Sequence, residues 1–318
     1  NGDGFDDVAV VASITNGPVA DAGAAYVVFG KADVGAVDTG TDGAWGYRVD
    51  GPSPSYPSNA GDTVAPAGDV NGDGVPDLLV GIADADAGAR TSAGAAWVVY
   101  GKSTTATISL ESLTLAQGYR IIGAGDDTKL GSSLTSLGDV NGDGVPDLAV
   151  GAADHVPGGA DAGAAYIVFG QTSQLEIDVA NLGSQGRVIT SVGDNHRANT
   201  VAAPGDITGD GVADVLVGAA GAGYHGRPSS GSIYAISGAG SGPVDLADPG
   251  DVAFRVDGAA SSEGIGLGLG PSAADVNGDG INDVFVGHNN GQRGRNWSGT
   301  AYVIMGRTTS GVIDLRDA

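Results

Sequence analysis

Short apolar runs recur along the chain, and each is bounded by glycine-rich or acidic segments. One kind of run follows an acidic turn and spans five or six residues, as at 77–82 and 147–152. A second kind opens on Gly-Ala and closes on an aromatic residue and a glycine, as at 94–101. Runs of this length between turn signals predict β-strands, because helices need longer segments with apolar residues three or four apart.

Each repeat contains four such segments, which we predict to form consecutive strands. The first is rich in small residues and precedes the acidic turn, at 62–69, 132–139, 199–206 and 267–275. The second follows the turn, at 7–11, 77–82, 147–152, 214–219 and 283–287. The third begins with glycine, at 23–30, 94–101, 163–170, 231–238 and 299–306. The fourth carries an arginine, at 47–49, 119–121, 186–188 and 254–256.

A unit of four antiparallel strands that repeats at a fixed interval is typical of a β-propeller. We therefore predict an all-β fold, with a single propeller domain of four-stranded blades over residues 1–318. The repeats are approximately 1–51, 52–123, 124–191, 192–258 and 259–318. Small residues in the first strand suit a crowded position near the propeller axis. The first repeat begins inside its acidic turn and the last stops before its arginine strand, so we expect a segment of a longer protein.

The acidic turns have the composition of a cation-binding loop. In the stretch 139–147, Asp139, Asn141 and Asp143 place side-chain oxygens at the first, third and fifth positions. A glycine follows at the sixth, Val145 offers its backbone carbonyl at the seventh, and Asp147 supplies a carboxylate at the ninth. Such an all-oxygen set suits Ca²⁺. The loop is not an EF-hand, because its twelfth position lacks Glu and lies in an apolar strand.

This loop occurs in five copies. The complete ligand sets are Asp69, Asn71, Asp73, Val75 and Asp77; Asp139, Asn141, Asp143, Val145 and Asp147; Asp206, Thr208, Asp210, Val212 and Asp214; and Asp275, Asn277, Asp279, Ile281 and Asp283. The first copy has only Asn1, Asp3, Phe5 and Asp7 and is incomplete in this chain. The third positions fall at 1, 71, 141, 208 and 277, which is a period of 67 to 70 residues.

A metal-free Asn-Gly hairpin is the alternative interpretation of a single copy of the loop. Repetition in register favours the metal, and we predict four complete Ca²⁺ sites and a fifth incomplete one. We expect weaker binding in the loop where Thr208 replaces the asparagine of the third position.

Composition and charge narrow the class of partner. The 318 residues include 58 glycines and 41% hydrophobic residues, which favours many short strands and turns over disorder. The net charge of −24 disfavours nucleic acid and anionic membrane as partners and suits a chain that retains divalent cations. No run approaches the ~18 apolar residues of a membrane helix, so no membrane insertion is expected. Cysteine is absent and gives no indication of the compartment.

The loop, the apolar strand after it and the Gly-Ala strand together resemble FG-GAP repeats over essentially the whole chain. Phe29-Gly30 and Phe169-Gly170 match the Phe-Gly half of the motif; Tyr100-Gly101 and Met305-Gly306 are close to it, and Ser237-Gly238 departs from it. The resemblance implies the integrin-like β-propeller of integrin α subunits, which usually has seven blades; this chain supplies parts of five. It also implies a structural Ca²⁺ in the hairpin between a blade's first two strands, and a protein that is extracellular, secreted or at the cell surface.

Other motifs give little support for catalysis. Gly101-Lys102-Ser103 imitates the end of a phosphate loop, but Ala96 stands where the earlier glycine is required. No G-x-S-x-G or H-E-x-x-H motif occurs. Acidic pairs for glycoside chemistry stay open. The repeated arginines indicate structural hydrogen bonds rather than one active site: Arg48, Arg120, Arg187 and Arg255.

Loop aromatics offer surfaces on which a sugar or a peptide could stack, namely Tyr56, Tyr224 and Trp297, and Asn296-Trp297-Ser298 fits a glycosylation sequon. We predict a binding or adhesion module for an extracellular protein or glycan ligand. The sequence leaves its ligand-binding residues and oligomeric state open. Two alternatives remain: a secreted hydrolase or lyase, or the accessory propeller of one, and a structural spacer.

Overall fold

The computed structural model describes residues 1–12, 23–32, 37–39, 45–52, 63–154, 162–191, 193, 195–248, 250–288 and 299–317. Tyr56, His155 and the sequon at 296–298, with Trp297, lie outside these ranges. The chain divides into two compact units, residues 1–134 with 170–181 and residues 135–169 with 182–318. No helix in the described part of the chain has the length and apolarity needed to span a bilayer.

The first unit contains two sheets, which we name blades 1 and 2. Blade 1 comprises β1 (Val8–Ala12), β2 (Ala24–Val28) and β3 (Gly46–Asp50). Blade 2 comprises β4 (Thr63–Gly68), β5 (Asp77–Ile82), β6 (Ala95–Val99) and β8 (Gly118–Ile122). Between β6 and β8 the chain forms the short strand β7 (Ile108–Ser109) and a 3-10 turn at Leu110–Ser112. Consecutive strands of each blade pair antiparallel.

The second unit contains three further sheets, blades 3 to 5. Blade 3 comprises β9 (Leu130–Gly138), whose first five residues belong to the first unit, β10 (Asp147–Ala152), β11 (Ala164–Val168) and β13 (Gly186–Thr190). The segment before β13 holds β12 (Glu176–Asp178) and 3-10 turns at Val179–Asn181 and Gly183–Gln185. Blade 4 comprises β14 (Ala198–Gly205), β15 (Asp214–Ala219), β16 (Ser232–Ile236) and β18 (Phe254–Asp257), with β17 (Val244–Asp245) before β18. Blade 5 comprises β19 (Leu269–Ala274), β20 (Asp283–His288) and β21 (Thr300–Ile304), and β22 (Gly311–Asp314) follows.

The predicted all-β fold of four-stranded, propeller-type blades is confirmed. Blades 2, 3 and 4 each place their four strands side by side in chain order. Every residue of β5, β10 and β15 is buried, so these strands read as continuous apolar runs and not as alternating ones. The cores lie between facing sheets within a unit: Trp97 belongs to the core of the first unit, and Tyr234 and Phe254 belong to two cores of the second.

Four short strands that the sequence pattern did not predict complete the blades, and we name them clasp strands. The first, β7, leaves the connection between the third and fourth strands of blade 2 and pairs in parallel with β3 of blade 1. The other clasp strands are β12 on β8, β17 on β13 and β22 on β18, all parallel. Each covers the outermost strand of a blade, an edge that would otherwise present unpaired N–H and C=O groups.

The small residues of the inner strands are required where backbone segments approach closely within each unit. A Cβ on Gly81 in β5 would lie 2.3 Å from the carbonyl oxygen of Gly131 at the start of β9. In the second unit, a Cβ on Gly218 would lie 2.1 Å from the carbonyl oxygen of Gly266. Real Cβ atoms do not approach oxygen this closely, so these backbones pack at a distance that only glycine permits.

Candidate metal centres

The five acidic loops share one backbone form, which their glycines make possible. Four of them join the first and second strands of blades 2 to 5, and the fifth precedes β1. Each has glycines of positive φ at its fourth and sixth positions, such as Gly72 at 72° and Gly74 at 87°. Side chains rarely adopt these angles, so the loop depends on both glycines.

The side-chain oxygens of the first, third and fifth positions point into the loop and accept its own N–H groups. In the loop of blade 2, Asp69 accepts from Asp73 at 3.0 Å and from Gly74 at 2.9 Å. Asn71 Oδ1 accepts from Asp73 at 2.9 Å, and Asp73 Oδ1 accepts from Val75 at 2.8 Å. The same set of bonds recurs in the loops that begin at Asp139 and Asp275. The first loop keeps the bonds of Asn1 to Asp3 and of Asp3 to Phe5, both at 2.9 Å.

The carboxylate at the ninth position is buried and serves as a backbone clamp. Asp77 is 3% exposed; one of its oxygens accepts from Val70 N–H at 2.8 Å and the other from Gly101 N–H at 2.8 Å. It therefore ties the start of the loop to the end of the third strand. The equivalent bonds to the second loop position are Asp147 with Val140 at 2.9 Å, Asp214 with Ile207 at 2.7 Å and Asp283 with Val276 at 2.9 Å.

Burial makes these clamp carboxylates costly to ionise. Burial raises the pKa of Asp77 to about 6 against the backbone hydrogen bonds from Gly101 and Val70, which lower it. The pKa of Asp214 is likewise raised by burial to about 6. At the rim of a loop the opposite holds, because the N–H of Gly280 lowers the pKa of Asp275. A cation in the loop would favour the ionised form of both kinds of carboxylate.

The oxygen donors of the loops suit a hard cation, but the carboxylate at the ninth position is also bonded to the backbone. In the loops of blades 2, 3 and 5, the side-chain oxygens of the first, third and fifth positions turn into the loop, and oxygen-only sets of this kind suit Ca²⁺. The described residues contain no group of three or more His, Cys, Asp or Glu side chains gathered as a metal centre. The ninth-position carboxylates accept hydrogen bonds from backbone N–H groups. A carboxylate has about four lone-pair sites, so such an oxygen can still be shared with an ion. The four complete sites stay a prediction.

Thr208 removes one donor from the loop of blade 4. The Thr208 side chain is buried, and its hydroxyl Oγ1 donates a hydrogen bond to Asp214 Oδ1 at 3.2 Å. Asp210 in the same loop accepts a hydrogen bond from Ser237, the residue that departs from the Phe-Gly pattern. The loop of blade 4 thus lacks the third-position oxygen that its counterparts turn inward, and weaker binding there stays a prediction.

The glycine of the Phe-Gly pair contacts the acidic loop of its own blade. The sequence did not predict this contact. Gly101 donates to Asp77, and a Cβ on Gly101 would lie 2.3 Å from the carbonyl oxygen of Pro76. Gly30 and Gly306 donate in the same way to Asp7 at 2.8 Å and to Asp283 at 2.9 Å. Their separations of 23 to 24 residues are nearly constant, and this spacing is the signal that could have found them.

The repeated arginines make structural hydrogen bonds and ion pairs, as predicted. Arg48 pairs with Asp50, Arg120 with Glu176, and Arg255 with Asp257 at 2.8 Å. Each of these three lies opposite an aromatic residue of the third strand.

Arg187 is not equivalent to the other three arginines. It lies one residue before the position opposite the aromatic residue of the third strand, so the prediction that it belongs to the same series is wrong. It lies opposite Ile167, on the other face of its sheet, and it is 8% exposed. It donates to the carbonyls of Gly242 at 3.0 Å and Ser237 at 3.1 Å. In blade 3, Arg187 directly follows Gly186, whereas an aromatic residue directly precedes each of the other three arginines: Tyr47, Tyr119 and Phe254.

Tyr224, which the sequence offered as a stacking surface, is engaged within blade 4. The guanidinium of Arg255 lies 3.7 Å from its ring centroid, and its hydroxyl lies 2.9 Å from that of Tyr234. One face of the ring is therefore covered by the protein's own cation. Tyr56 and Trp297 lie outside the described residues.

Comparison with known proteins identifies the repeat. A family model described as FG-GAP repeat matches residues 60–99, 130–168 and 198–236, which contain the first three strands of blades 2, 3 and 4. Integrin alpha pat-2 of Caenorhabditis elegans is 39% identical over 93 residues, which are 29% of this chain and 7% of that protein. Integrin alpha-M of Mus musculus is 38% identical over 92 residues, which are 28% of this chain and 7% of that protein. The matches thus span a small part of each relative.

Proposed function

We propose that this chain, an FG-GAP repeat protein with integrin-like propeller blades, is a calcium-stabilised extracellular module that binds a protein or carbohydrate ligand. The observation that supports the proposal most directly is the loop repeated in register between the first two strands of each blade. Its oxygens are folded inward by hydrogen bonds to the loop backbone, so little reorganisation is needed to receive an ion.

Calcium would act on stability and not on chemistry. Three carboxylates held a few ångströms apart repel one another, and a divalent ion converts that repulsion into attraction. At millimolar calcium, a site with a dissociation constant of about 10⁻⁴ M adds about 1.4 kcal/mol to the free energy of unfolding. Cytosolic calcium would leave such sites mostly empty, which is why we place the protein outside the cell.

Ligand binding is assigned to loops held by the rigid blades, as is common for binding proteins built on such scaffolds. The names of the two relatives, both integrin α proteins, favour adhesion to an extracellular protein over hydrolysis of a substrate. The chain's acidity makes a basic or neutral ligand surface the better complement, because like charges across an interface are unfavourable.

The proposal is tested in two steps. Isothermal titration of the calcium-free chain with CaCl₂ should give heats for four sites, the weakest of which is lost in a Thr208→Ala, Asp210→Ala double variant. The loaded chain is then applied to a glycan array and to immobilised plasma proteins, in calcium and in EDTA. Saturable binding that EDTA abolishes is expected. No calcium heat at millimolar concentration, or binding that is unchanged by EDTA, contradicts the proposal.

A further inference from the structure

An asparagine followed by a glycine occupies the third and fourth positions of three complete acidic loops: Asn71-Gly72, Asn141-Gly142 and Asn277-Gly278. This pair is chemically labile, because the backbone nitrogen of the glycine can attack the side-chain carbonyl carbon of the asparagine and close a succinimide ring. Glycine has no Cβ to hinder the approach. The fold decides how far each pair is protected from this reaction.

The loops of blades 2 and 3 allow a direct comparison, because residues 69–78 and 139–148 have the same sequence. The side chains of Asn71 and Asn141 are also held alike. Each Oδ1 accepts from the N–H of the fifth-position aspartate, at 2.9 and 2.8 Å respectively. Each Nδ2 donates to the carboxylate of that aspartate, at 2.9 and 3.0 Å. A difference in reactivity between the two asparagines must therefore come from the glycine that attacks.

The fourth-position glycines differ in their hydrogen bonds. Gly142 N–H donates to Asp139 Oδ1 at 2.7 Å, and Gly278 N–H donates to Asp275 Oδ1 at 2.6 Å. Gly72 N–H has no acceptor among the described residues. It is the exception in the four complete loops, whose other fourth- and sixth-position glycines all donate to the first-position aspartate: Gly74, Gly142, Gly144, Gly209, Gly211, Gly278 and Gly280.

Exposure and backbone conformation do not distinguish Gly72 from Gly142. Both are exposed to solvent, and their φ angles are 72° and 79°. A Cβ on either glycine would meet no atom within 4 Å. The hydrogen bond to the first-position carboxylate is the difference that remains. It retains the proton of the glycine nitrogen, and the negative carboxylate opposes the build-up of negative charge on that nitrogen.

We propose that Asn71 is a site of spontaneous deamidation in the folded chain. The Gly72 nitrogen forms a bond to the side-chain carbonyl carbon of Asn71 as its proton passes to water. The bond from that carbon to Nδ2 breaks, and Nδ2 leaves as ammonia. Water then opens the succinimide at either carbonyl and gives aspartate or isoaspartate. No group is oxidised or reduced. Asn141 and Asn277 are protected by the hydrogen bonds of their glycines.

The modification changes the complete acidic loop of the first unit. Aspartate at position 71 adds a carboxylate between those of Asp69 and Asp73. Isoaspartate also inserts a carbon into the main chain, which displaces the donors that follow. The ranking of Asn71 above Asn141 concerns the calcium-free loops, so it does not rest on the proposed function.

The experiment incubates the chain in EDTA at mildly alkaline pH, below its melting transition, and follows both loops by tryptic mapping and mass spectrometry. Cleavage after arginine and lysine places Asn71 in peptide 49–90 and Asn141 in peptide 130–187, so the two sites are measured separately. Asn71 should lose its amide about tenfold faster, the ratio expected for one hydrogen bond to a charged group. Labelling by an isoaspartyl methyltransferase identifies the isoaspartate product.

Denaturation supplies the internal control. In urea the two loops have the same sequence and no fold, so their rates should become equal. Equal rates in the folded chain, or faster loss at Asn141, overturn the proposal. A ratio that is the same in urea as in the folded chain also overturns it, because the fold would then not be the cause.

Matched variants assign the effect to the hydrogen bond. Asp139→Ala frees Gly142 N–H and should raise the rate at Asn141 toward that of Asn71. Asp69→Ala is the control, because Asp69 accepts from Asp73 and Gly74 and not from Gly72, so the rate at Asn71 should not change. Acceleration of both loops to the same extent would assign the effect to loop flexibility and contradict the proposal. If Asp139→Ala does not fold, Asn277 of the unaltered chain is the second measurement, and it should react as slowly as Asn141. A rate at Asn277 equal to that of Asn71 contradicts the assignment.

Discussion

At the residue scale, one glycine governs how the acidic loop of blade 2 joins its blade. Gly101 donates to the buried Asp77, and its backbone runs so close to Pro76 that a Cβ would lie 2.3 Å from the Pro76 carbonyl oxygen. Replacing Gly101 by alanine would push the third strand away from the clamp carboxylate. Asp77 would then be left buried with one of its hydrogen bonds weakened, and burial already disfavours its charge.

We expect Gly101→Ala to lower the free energy of unfolding by about 1–3 kcal/mol, the usual cost of forcing atoms into a packed site. Urea denaturation measures the change. Gly125→Ala is the matched control in the same unit, because a Cβ there meets only a Thr128 methyl group, at 3.8 Å. Equal effects of the two substitutions would show that the close approach at Gly101 is not what limits stability.

Thr208 permits a second prediction at the same scale. Thr208→Asn restores the amide oxygen that the other four loops carry at the third position. We expect the weakest class of calcium site to tighten several-fold, measured by calorimetric titration, since one more oxygen donor is available. Thr208→Val is the control, because it loses the hydrogen bond to Asp214 without adding a donor. Asparagine and valine variants with the same calcium affinities would argue against the third position as a ligand.

Local sequence was sufficient to predict the oxygen donors of the loop, but it did not predict the backbone contacts of the carboxylate at the ninth position. The donors of the first, third and fifth positions lie within five residues of one another, so a sequence pattern captures them. The role of Asp77 depends on Gly101, which is 24 residues away and reaches it only after two strands have paired. A short motif cannot specify that contact, although it can suggest an oxygen ligand.

At the element scale, the clasp strands are the feature that local pattern could not reveal. Each has two to four residues, too few for apolar alternation to be recognised. Their parallel pairing involves a strand from a neighbouring repeat, so it depends on how blades are placed and not on local propensity. The one available signal is the recurring triplet Ile-Ser-Leu, Ile-Asp-Val, Val-Asp-Leu and Ile-Asp-Leu, at 108–110, 177–179, 244–246 and 313–315.

An arginine fixes the clasp strand of blade 2. Arg90 Nη1 and Nη2 donate to the two carboxylate oxygens of Asp178 at 2.8 and 2.9 Å, and Nη1 also donates to the Gly123 carbonyl at 2.7 Å. The hydrogen bond from Arg90 lowers the pKa of Asp178. In the second unit Arg227 and Asp314 form the equivalent pair at 2.6 Å. The same arginine–aspartate pair thus holds the clasp strands of blades 2 and 4.

We expect Arg90→Ala to cost about 1 kcal/mol at neutral pH, since the pair is partly exposed to solvent. The pKa of Asp178 is lower in the folded chain than the ordinary value of about 3.9 in the unfolded chain. The pair therefore stabilises the fold above about pH 4, and this contribution is lost as the pH falls through the folded pKa.

Urea denaturation of the wild type and of Arg90→Ala at neutral pH and near pH 3 measures this dependence. The difference in unfolding free energy should shrink at the lower pH. Lys31→Ala removes an exposed positive charge from the same unit and serves as the control. A difference that stays constant with pH would assign the effect of Arg90 to its bond with Gly123 and to packing, and not to its ion pair.

At the scale of the whole molecule, the acidic loops are unequally divided between the two units. The first unit contains one complete loop, 69–77, and the incomplete loop at its start. The second contains three complete loops, 139–147, 206–214 and 275–283. If each bound ion contributes about 1.4 kcal/mol at millimolar calcium, the second unit gains about 4 kcal/mol and the first about 1.4 kcal/mol. Calcium should therefore protect the second unit more strongly.

Differential scanning calorimetry in calcium and in EDTA tests this division. Chelation should lower the unfolding temperature, and the transition of the second unit should shift further than that of the first. Asp143→Ala identifies the second unit's transition, and Asp73→Ala that of the first, because each removes the fifth-position donor of one loop in one unit. If both transitions shift by the same amount, the loops are not the source of the stabilisation.

Non-specific screening is the competing explanation, because a net charge of −24 opposes compaction whether or not the loops bind an ion. Sodium chloride relieves that repulsion at any surface and would move both transitions. Magnesium also carries two charges, but it requires near-octahedral geometry and gives up water reluctantly, so a flexible loop of carboxylate and carbonyl oxygens should favour calcium. If the loops hold ions, calcium added after EDTA should restore the unfolding temperatures. Sodium or magnesium at equal ionic strength should not. Full recovery in sodium chloride would mean that dispersed charge, and not these hairpins, sets the stability.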